Sequence, residues 1–176
     1  MSNNNEMALL QELEDKQALR EVSTLFARAL DRADGSLLAS LFADGAQVSI
    51  GAFSGPASEF VAGSVSPAGL ERSFHSVSNE FYQIDGDSAR GEVYVIDVAT
   101  WNTADGKTDT LIGGRYVDEY SKVGGAWKIA RRTFAHEWNM SFPTTTVWDE
   151  GLFGMIKLRG TRGKDDPIYT ILGAQA

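Results

Sequence analysis

The chain has 176 residues, 43% of them hydrophobic, which is one domain's worth with enough apolar side chains to bury a core. A formal charge of -8 leaves no surplus of Lys and Arg for phosphate contacts, so nucleic acid is not an expected partner, and anionic membranes are disfavoured. There is no cysteine, which excludes disulfides, thiolate nucleophiles and cysteine-bound zinc. The N-terminal stretch lacks the basic and apolar regions of a signal peptide, and no apolar run approaches a membrane span. A cytoplasmic protein is expected.

Residues 1–7 read as a disordered tail. From Met7 the pattern turns helical: Leu10, Leu13, Ala18, Leu19, Val22, Leu25, Phe26, Ala29 and Leu30 fall mostly at three- and four-residue intervals. The stripe ends at Asp31, with Gly35 as the expected helix stop. A short helix fits residues 36–42, Asp44-Gly45 is a turn signal, and residues 47–50 form a short strand. Residues 51–70, bracketed by Pro56 and Pro67, read as a loop with a short helix, a candidate lid.

The remainder reads as β-structure. Strands are expected over 74–84, 88–101, 108–121 and 126–138, joined by short Gly- and Asp-bearing turns into antiparallel hairpins. Such long strands need twist and bulges, and Gly113-Gly114 is the expected bulge site. Helices first and a curled sheet after predict an α+β fold. The expected form is a cone-shaped barrel, a curved mixed or antiparallel sheet closed by the N-terminal helices around a ligand cavity. The expected boundaries are residues 8–142 for this domain and 143–176 for a C-terminal extension. Trp148, Leu152, Phe153 and Ile156 in the extension are too apolar for solvent and are expected to pack on the domain or a neighbouring subunit.

Only two histidines occur, His75 and His136, each in a strand-like stretch. If folding joins Asp31 to His75, the pair is a general base: the carboxylate fixes the tautomer and stabilises the imidazolium. Without that partner, Asp31 is a helix-end surface residue and His75 a packed histidine. Arg132 shares an expected strand face with His136. It either steadies charge on a leaving oxygen or closes a salt bridge. His136 is a second candidate acid. Phe26, Asn79, Tyr94, Trp101, Tyr116 and Trp138 are candidate substrate contacts. Two widely separated histidines make a poor ligand set, so no metal is expected, and the glycines around 151–163 match no dinucleotide or P-loop pattern, so no nucleotide cofactor is read from them.

The order of elements and several motifs resemble the SnoaL-like branch of the nuclear-transport-factor-2-like superfamily over residues 8–142. They are Ala29-Leu30-Asp31-Arg32-Ala33-Asp34-Gly35, Leu41-Phe42-Ala43-Asp44-Gly45, His75-Ser76-Val77-Ser78-Asn79, Gly113-Gly114-Arg115-Tyr116 and Trp127-Lys128-Ile129 through Arg132. The branch includes scytalone dehydratase, bile-acid 7-alpha-dehydratase and hexachlorocyclohexane dehydrochlorinase. The resemblance implies the cone-shaped fold, a catalytic dyad at Asp31 and His75, an assisting arginine at Arg132, and cofactor-free lyase chemistry in a homotrimer or homodimer. The implied substrate is small and hydrophobic, aromatic or polycyclic, and the implied reaction is elimination. The chain departs from the dehydratases at Phe26, where a tyrosine often stands, so the leaving-group acid comes from elsewhere. Retro-aldol release of formaldehyde from a lignin-derived diaryl diol, double-bond isomerisation, and a non-catalytic ligand-binding or dioxygenase small-subunit role remain open alternatives.

Overall fold

The computed structural model describes residues 2–172, with side chains from residue 5 onward. Helix α1 (Ser2–Asp31) is followed by α2 (Gly35–Ser40), β1 (Phe42–Ile50), β2 (Phe53–Pro56) and α3 (Ala57–Ser64). The long strands β3 (Leu70–Asp85), β4 (Ser88–Thr103), β5 (Gly106–Val123) and β6 (Ala126–Pro143) come next. The extension adds one 3₁₀ turn (Phe153–Met155) and a short helix, α4 (Pro167–Ile171).

The six strands form one sheet in the order β2-β1-β6-β5-β4-β3. The β1–β6 pair is parallel and the others are antiparallel. This corrects the expected cone-shaped barrel. The sheet is open, with β2 and β3 as its two edges and no pairing between them. β2 is only four residues long and runs at Pro56 straight into α3, so it offers little edge to pair. Instead of closing, the sheet is covered: α1 crosses its inner face, chiefly over β3 and β6.

The core forms where α1 meets that face. Leu19, Val22, Phe26 and Ala29 of α1 bury against Leu38, Val48, Phe60, Val93, Tyr116, Trp127 and Ile129. Phe26 stacks on Phe60 and meets Phe42 and Tyr116 edge-on. These rings fill the inner face around Phe26. Two grooves lie elsewhere. One of about 560 Å³ lies at the β3–β4 hairpin beside Ile84, Ser88 and Tyr120. Another, about 590 Å³, runs beside α1 at Gln11, Asp15 and Lys122.

Three local expectations change. α1 begins at Ser2, so residues 2–7 are helical, while residue 1 lies outside the described residues. Leu10 and Leu13 are exposed because the helix overhangs the sheet. Contact with the strands starts at Asp15, which accepts from the Trp127 indole at 2.8 Å and pairs with Lys122 at 2.6 Å. The helix stop is Ala33, not Gly35. Ala33 has φ +53°, and Asp34 N–H reaches back to the Ala29 carbonyl at 2.9 Å, a Schellman closure. The tight turn between β5 and β6 does use glycine, with Gly124 and Gly125 at φ +60° and +85°.

The Gly113-Gly114 bulge is present. The β5–β6 register shifts between them, with Glu137 as the extra residue on β6. A second bulge, absent from the alternation pattern, sits at Asn79 (φ +46°), between the Ser78–Tyr94 and Glu80–Val93 pairs. It inverts the parity of β3. Ser73, His75 and Val77 face inward before it, and Glu80, Tyr82 and Ile84 after it, which sends Phe81 to solvent.

An alanine held at positive φ is strained where glycine is not. Ala33→Gly is therefore expected to raise stability by about 0.5–1 kcal/mol after allowing for the freer unfolded chain. Urea unfolding with an unchanged slope would measure it.

Candidate active site

Asp31 is the last residue of α1, where the helix dipole disfavours a carboxylate. It is buried, and His75 binds it twice. The ring Nδ1 lies 2.7 Å from Oδ1, and the backbone N–H donates to Oδ2 at 2.8 Å. Because the carboxylate only accepts, Nδ1 carries the proton in the neutral ring, and Nε2 is left as the basic nitrogen. Burial alone would raise the pKa of Asp31. The hydrogen bonds from His75, together with the Ser73 hydroxyl, outweigh it and hold the carboxyl below its usual range.

His75 Nε2 faces a third group. Asp97 on β4 is the cross-strand partner of His75, and its Oδ1 lies 3.7 Å from Nε2. That oxygen is buried without a hydrogen-bond partner among the described residues. Burial, aided by the nearby Asp31 charge, pushes Asp97 above the ordinary carboxylate range despite His75. For His75, burial favours the neutral ring, but the Asp31 hydrogen bond and the Asp97 charge together raise its pKa above the ordinary value. The imidazole thus sits between a carboxylate held ionised and one pushed toward its acid form.

The extension supplies a cation to the same place. Arg162 donates from Nη1 to Ser73 Oγ at 2.8 Å and from Nη2 to the Val65 carbonyl at 3.2 Å. Ser73 is two residues before His75 on the same strand face. Neighbouring contacts fix the segment: Arg72 Nη1 donates to the Gly160 carbonyl at 3.1 Å, and Gly163 N–H to the Arg32 carbonyl at 2.8 Å. Arg32 also pairs with Asp166 at 3.4 Å.

The other expected site residues are dispersed. Arg132 is fully buried in a two-point pair with Asp118, Nε–Oδ1 at 2.9 Å and Nη2–Oδ2 at 2.6 Å. The Tyr120 hydroxyl donates to the same carboxylate at 2.6 Å. The guanidinium is sandwiched between the Phe26 and Tyr116 rings, 4.0 and 4.2 Å from their centroids. Phe26 and Tyr116 are thus core residues around an internal ion pair. His136 is exposed on β6, opposite Gly114, with its ring against Phe134. Tyr94 and Trp138 point to the outer face of the sheet, Trp138 lying across Gly113, where a Cβ would come within 2.3 Å of its ring. Asn79 is the exposed bulge residue. Trp101 does share the inner face with Asp97 and donates its indole N–H to Thr110 Oγ1 at 3.2 Å.

Two of the residues around His75 were not anticipated. Asp97 carries a legible signal, since a carboxylate stands where Val93, Val95 and Ala99 mark the inward positions of β4. Arg162 carries none, because only the tertiary path of the extension brings it there.

A covering helix delivers a carboxylate to a histidine on the edge strand of an open six-stranded sheet, an α+β arrangement that accords with the nuclear-transport-factor-2-like superfamily. The model of the SnoaL-like domain matches residues 11–133, and the chain belongs to that family. No curated protein matches the chain in sequence. Among solved structures, it is similar to hexachlorocyclohexane dehydrochlorinase LinA-type3 from Novosphingobium barchaimii LL02, with 22% identity, TM-score 0.64, and coverage of 76% of this chain and 93% of that one. It is similar to a proposed scytalone dehydratase from Novosphingobium aromaticivorans, with 18% identity, TM-score 0.66, and coverage of 88% and 95%. The Kfla4162 protein from Kribbella flavida is a third, with 16% identity, TM-score 0.66, and coverage of 73% and 95%.

Two outcomes test this electrostatic layout. Because His75 and His136 are the only histidines, imidazole NMR resolves both titrations. His75 is expected to titrate above about 6.5, and Asp31→Asn and Asp97→Asn should each lower its midpoint. Separately, Arg132→Met leaves Asp118 buried and unpaired, at an expected cost of about 3–5 kcal/mol. Adding Asp118→Leu should return most of that in chemical unfolding.

Proposed function

We propose that this protein is a lyase that eliminates water, or a comparable small leaving group, from a compact hydrophobic, aromatic substrate without a cofactor. The observation that carries this reading is the double grip of Asp31 on His75, which leaves Nε2 basic and aimed toward Asp97. His75 Nε2 takes a proton from a carbon next to the carbon bearing the leaving oxygen. The C–H electron pair becomes the new double bond, the C–O bond breaks, and its electrons leave with the oxygen. The imidazolium so formed gives its proton to that oxygen, and water departs, while Asp31 stays ionised throughout and stabilises the charged ring. His75 thereby supplies the proton that Phe26, buried and without a hydroxyl, cannot. The relatives named above support the chemistry by analogy of fold.

The division into a core of residues 8–142 and an extension of 143–176 belongs to the same proposal, with the extension closing one side of the site. Its assembly is proposed on a different observation. Phe74, Ile96, Val98, Trp138, Met140 and Phe142 are exposed on the outer face of the sheet, in adjacent register rows. Apolar side chains in that array fit a second copy of the chain better than water. No helix among the described residues is long and apolar enough to cross a membrane.

His75→Ala and Asp31→Asn should each lower single-turnover rates by about 10²–10⁴, roughly 3–5 kcal/mol, while ligand affinity changes much less. Activity should fall as pH drops through the raised pKa of His75, because the protonated ring is no longer a base. A panel of hydroxylated aromatic and steroid substrates provides the assay. Near wild-type turnover in both variants would place the base elsewhere, and binding without turnover would favour a ligand-binding role. For the assembly, light scattering at micromolar concentration should give a dimer or trimer mass, and Ile96→Asp should shift it toward monomer.

A further inference from the structure

Near the end of α1, Arg162, like Arg28, forms no ion pair among the described residues, whereas other cations there do. Arg132 is matched to Asp118, and Arg32 to Asp166. Arg162 has no carboxylate within ion-pair distance among the described residues. It is half-buried and held by two neutral acceptors, Ser73 Oγ and the Val65 carbonyl. A guanidinium has five N–H donors, so most of its donors remain uncommitted. Its position is fixed from both sides, because Gly160 and Gly163, two residues before it and one after, are bonded to Arg72 and Arg32. A cation that is partly desolvated, preorganised and outside any direct ion pair, with donors to spare, is suited to binding an anion.

From this geometry we infer that Arg162 is a specificity residue that anchors a monoanionic carboxylate of the substrate while His75 works on the carbon skeleton. The inference rests on the lyase reading for its reacting end. The spacing suits a compact molecule: Ser73, which Arg162 holds, is two residues from His75, about 7 Å along the strand. The flanking charges select the valence. Asp31 and Asp97 both lie close enough to interact with Arg162, so a dianion such as a phosphate monoester meets two carboxylates across one cation. A planar monoanion matches the guanidinium fork and brings one negative charge rather than two beside Asp31 and Asp97. Trp101, on the same face, suits an aryl body. The predicted substrate is thus an aryl carboxylate with its reacting carbons beyond the ring.

Benzoate and its neutral analogue benzamide test the anchor without turnover, with the His75 ring signals as the binding readout. Benzoate should bind at least about tenfold more tightly than benzamide, the scale of one charge-assisted hydrogen bond. Arg162→Gln should erase that preference while leaving benzamide binding unchanged, and Arg162→Lys should restore part of it. Equal affinity for the two probes, no benzoate binding at millimolar concentration, or full benzoate affinity in Arg162→Gln would each overturn the inference. Turnover by the His75 and Asp31 variants is a separate measurement. An anchor that fails beside a working dyad, and a dyad that fails beside a working anchor, are therefore distinct results.

Discussion

The site depends on a carboxylate placed where electrostatics disfavour it. Asp31 closes a 30-residue helix, so it meets the negative end of the dipole and is buried as well. Two N–H groups of one residue, His75, compensate, and because one belongs to the backbone, the bond fixes β3 as well as the ring. The dyad is therefore also a staple between the covering helix and the edge strand. Its pH behaviour follows from the two directions of shift. Asp31 is depressed, so its contribution is present above the unfolded carboxylate pKa and is lost as pH falls through the folded value. His75 is raised, so its contribution is complete below the unfolded imidazole pKa and is lost as pH rises through the folded value. The staple is strongest between those limits, from about pH 4 to about pH 6.5.

Two aspartates flank one imidazole, and their environments separate their roles. Asp31 receives the ring and backbone donors of His75, and its charge is satisfied. Asp97 keeps a buried oxygen with no donor, and the charge of Asp31 nearby makes its own ionisation harder. Burial and neighbouring charge thus shift the two carboxyls in opposite directions, Asp31 down and Asp97 up. The same fold contains a counterexample in Arg132 and Asp118, which pair through two hydrogen bonds between aromatic rings and leave Arg132 Nη1 buried without an acceptor among the described residues. That pair is consumed in organising the core.

Local pattern carried much of the sequence reading. The four long strands, the bulge at Gly113-Gly114 and the helix ending at Asp31 follow from periodicity and turn chemistry that neighbouring residues decide. The pairing of Asp31 with His75 needed the family resemblance, because 44 residues separate them and spacing is silent about folding back. Nothing local marked the bulge at Asn79, since a bulge is a property of two strands in register. One extra residue there turns Phe81 to solvent, where unbroken alternation from His75 would put it on the inner face. Arg132 was legible as either a salt-bridge or a leaving-group residue, but its partner was not, because Asp118 becomes its neighbour only through the β5–β6 register. The closed barrel failed for a similar reason. Strand length and twist suggest curling, but closure depends on whether the two edges meet, and here α1 occupies the inner face instead.

The extension shows how an edge strand and a site share one solution. β3 is an open edge, and an uncovered edge invites pairing with other chains. The extension meets β3 near its start. Trp148 stacks on Arg72 with the guanidinium 4.1 Å from the ring centroid, Gly160 accepts from Arg72, and Arg162 reaches Ser73. It then returns to the end of α1, where Asp166 pairs with Arg32 and caps α4 by accepting from Ile168 N–H at 3.0 Å. Both contacts fall on the elements that supply the dyad, the end of α1 and the start of β3. A segment with few buried apolar side chains can be well placed there because its anchors are arginines and backbone groups already fixed by Asp31 and His75. It adds charge and coverage beside the dyad, and none of the residues in the aromatic core comes from it.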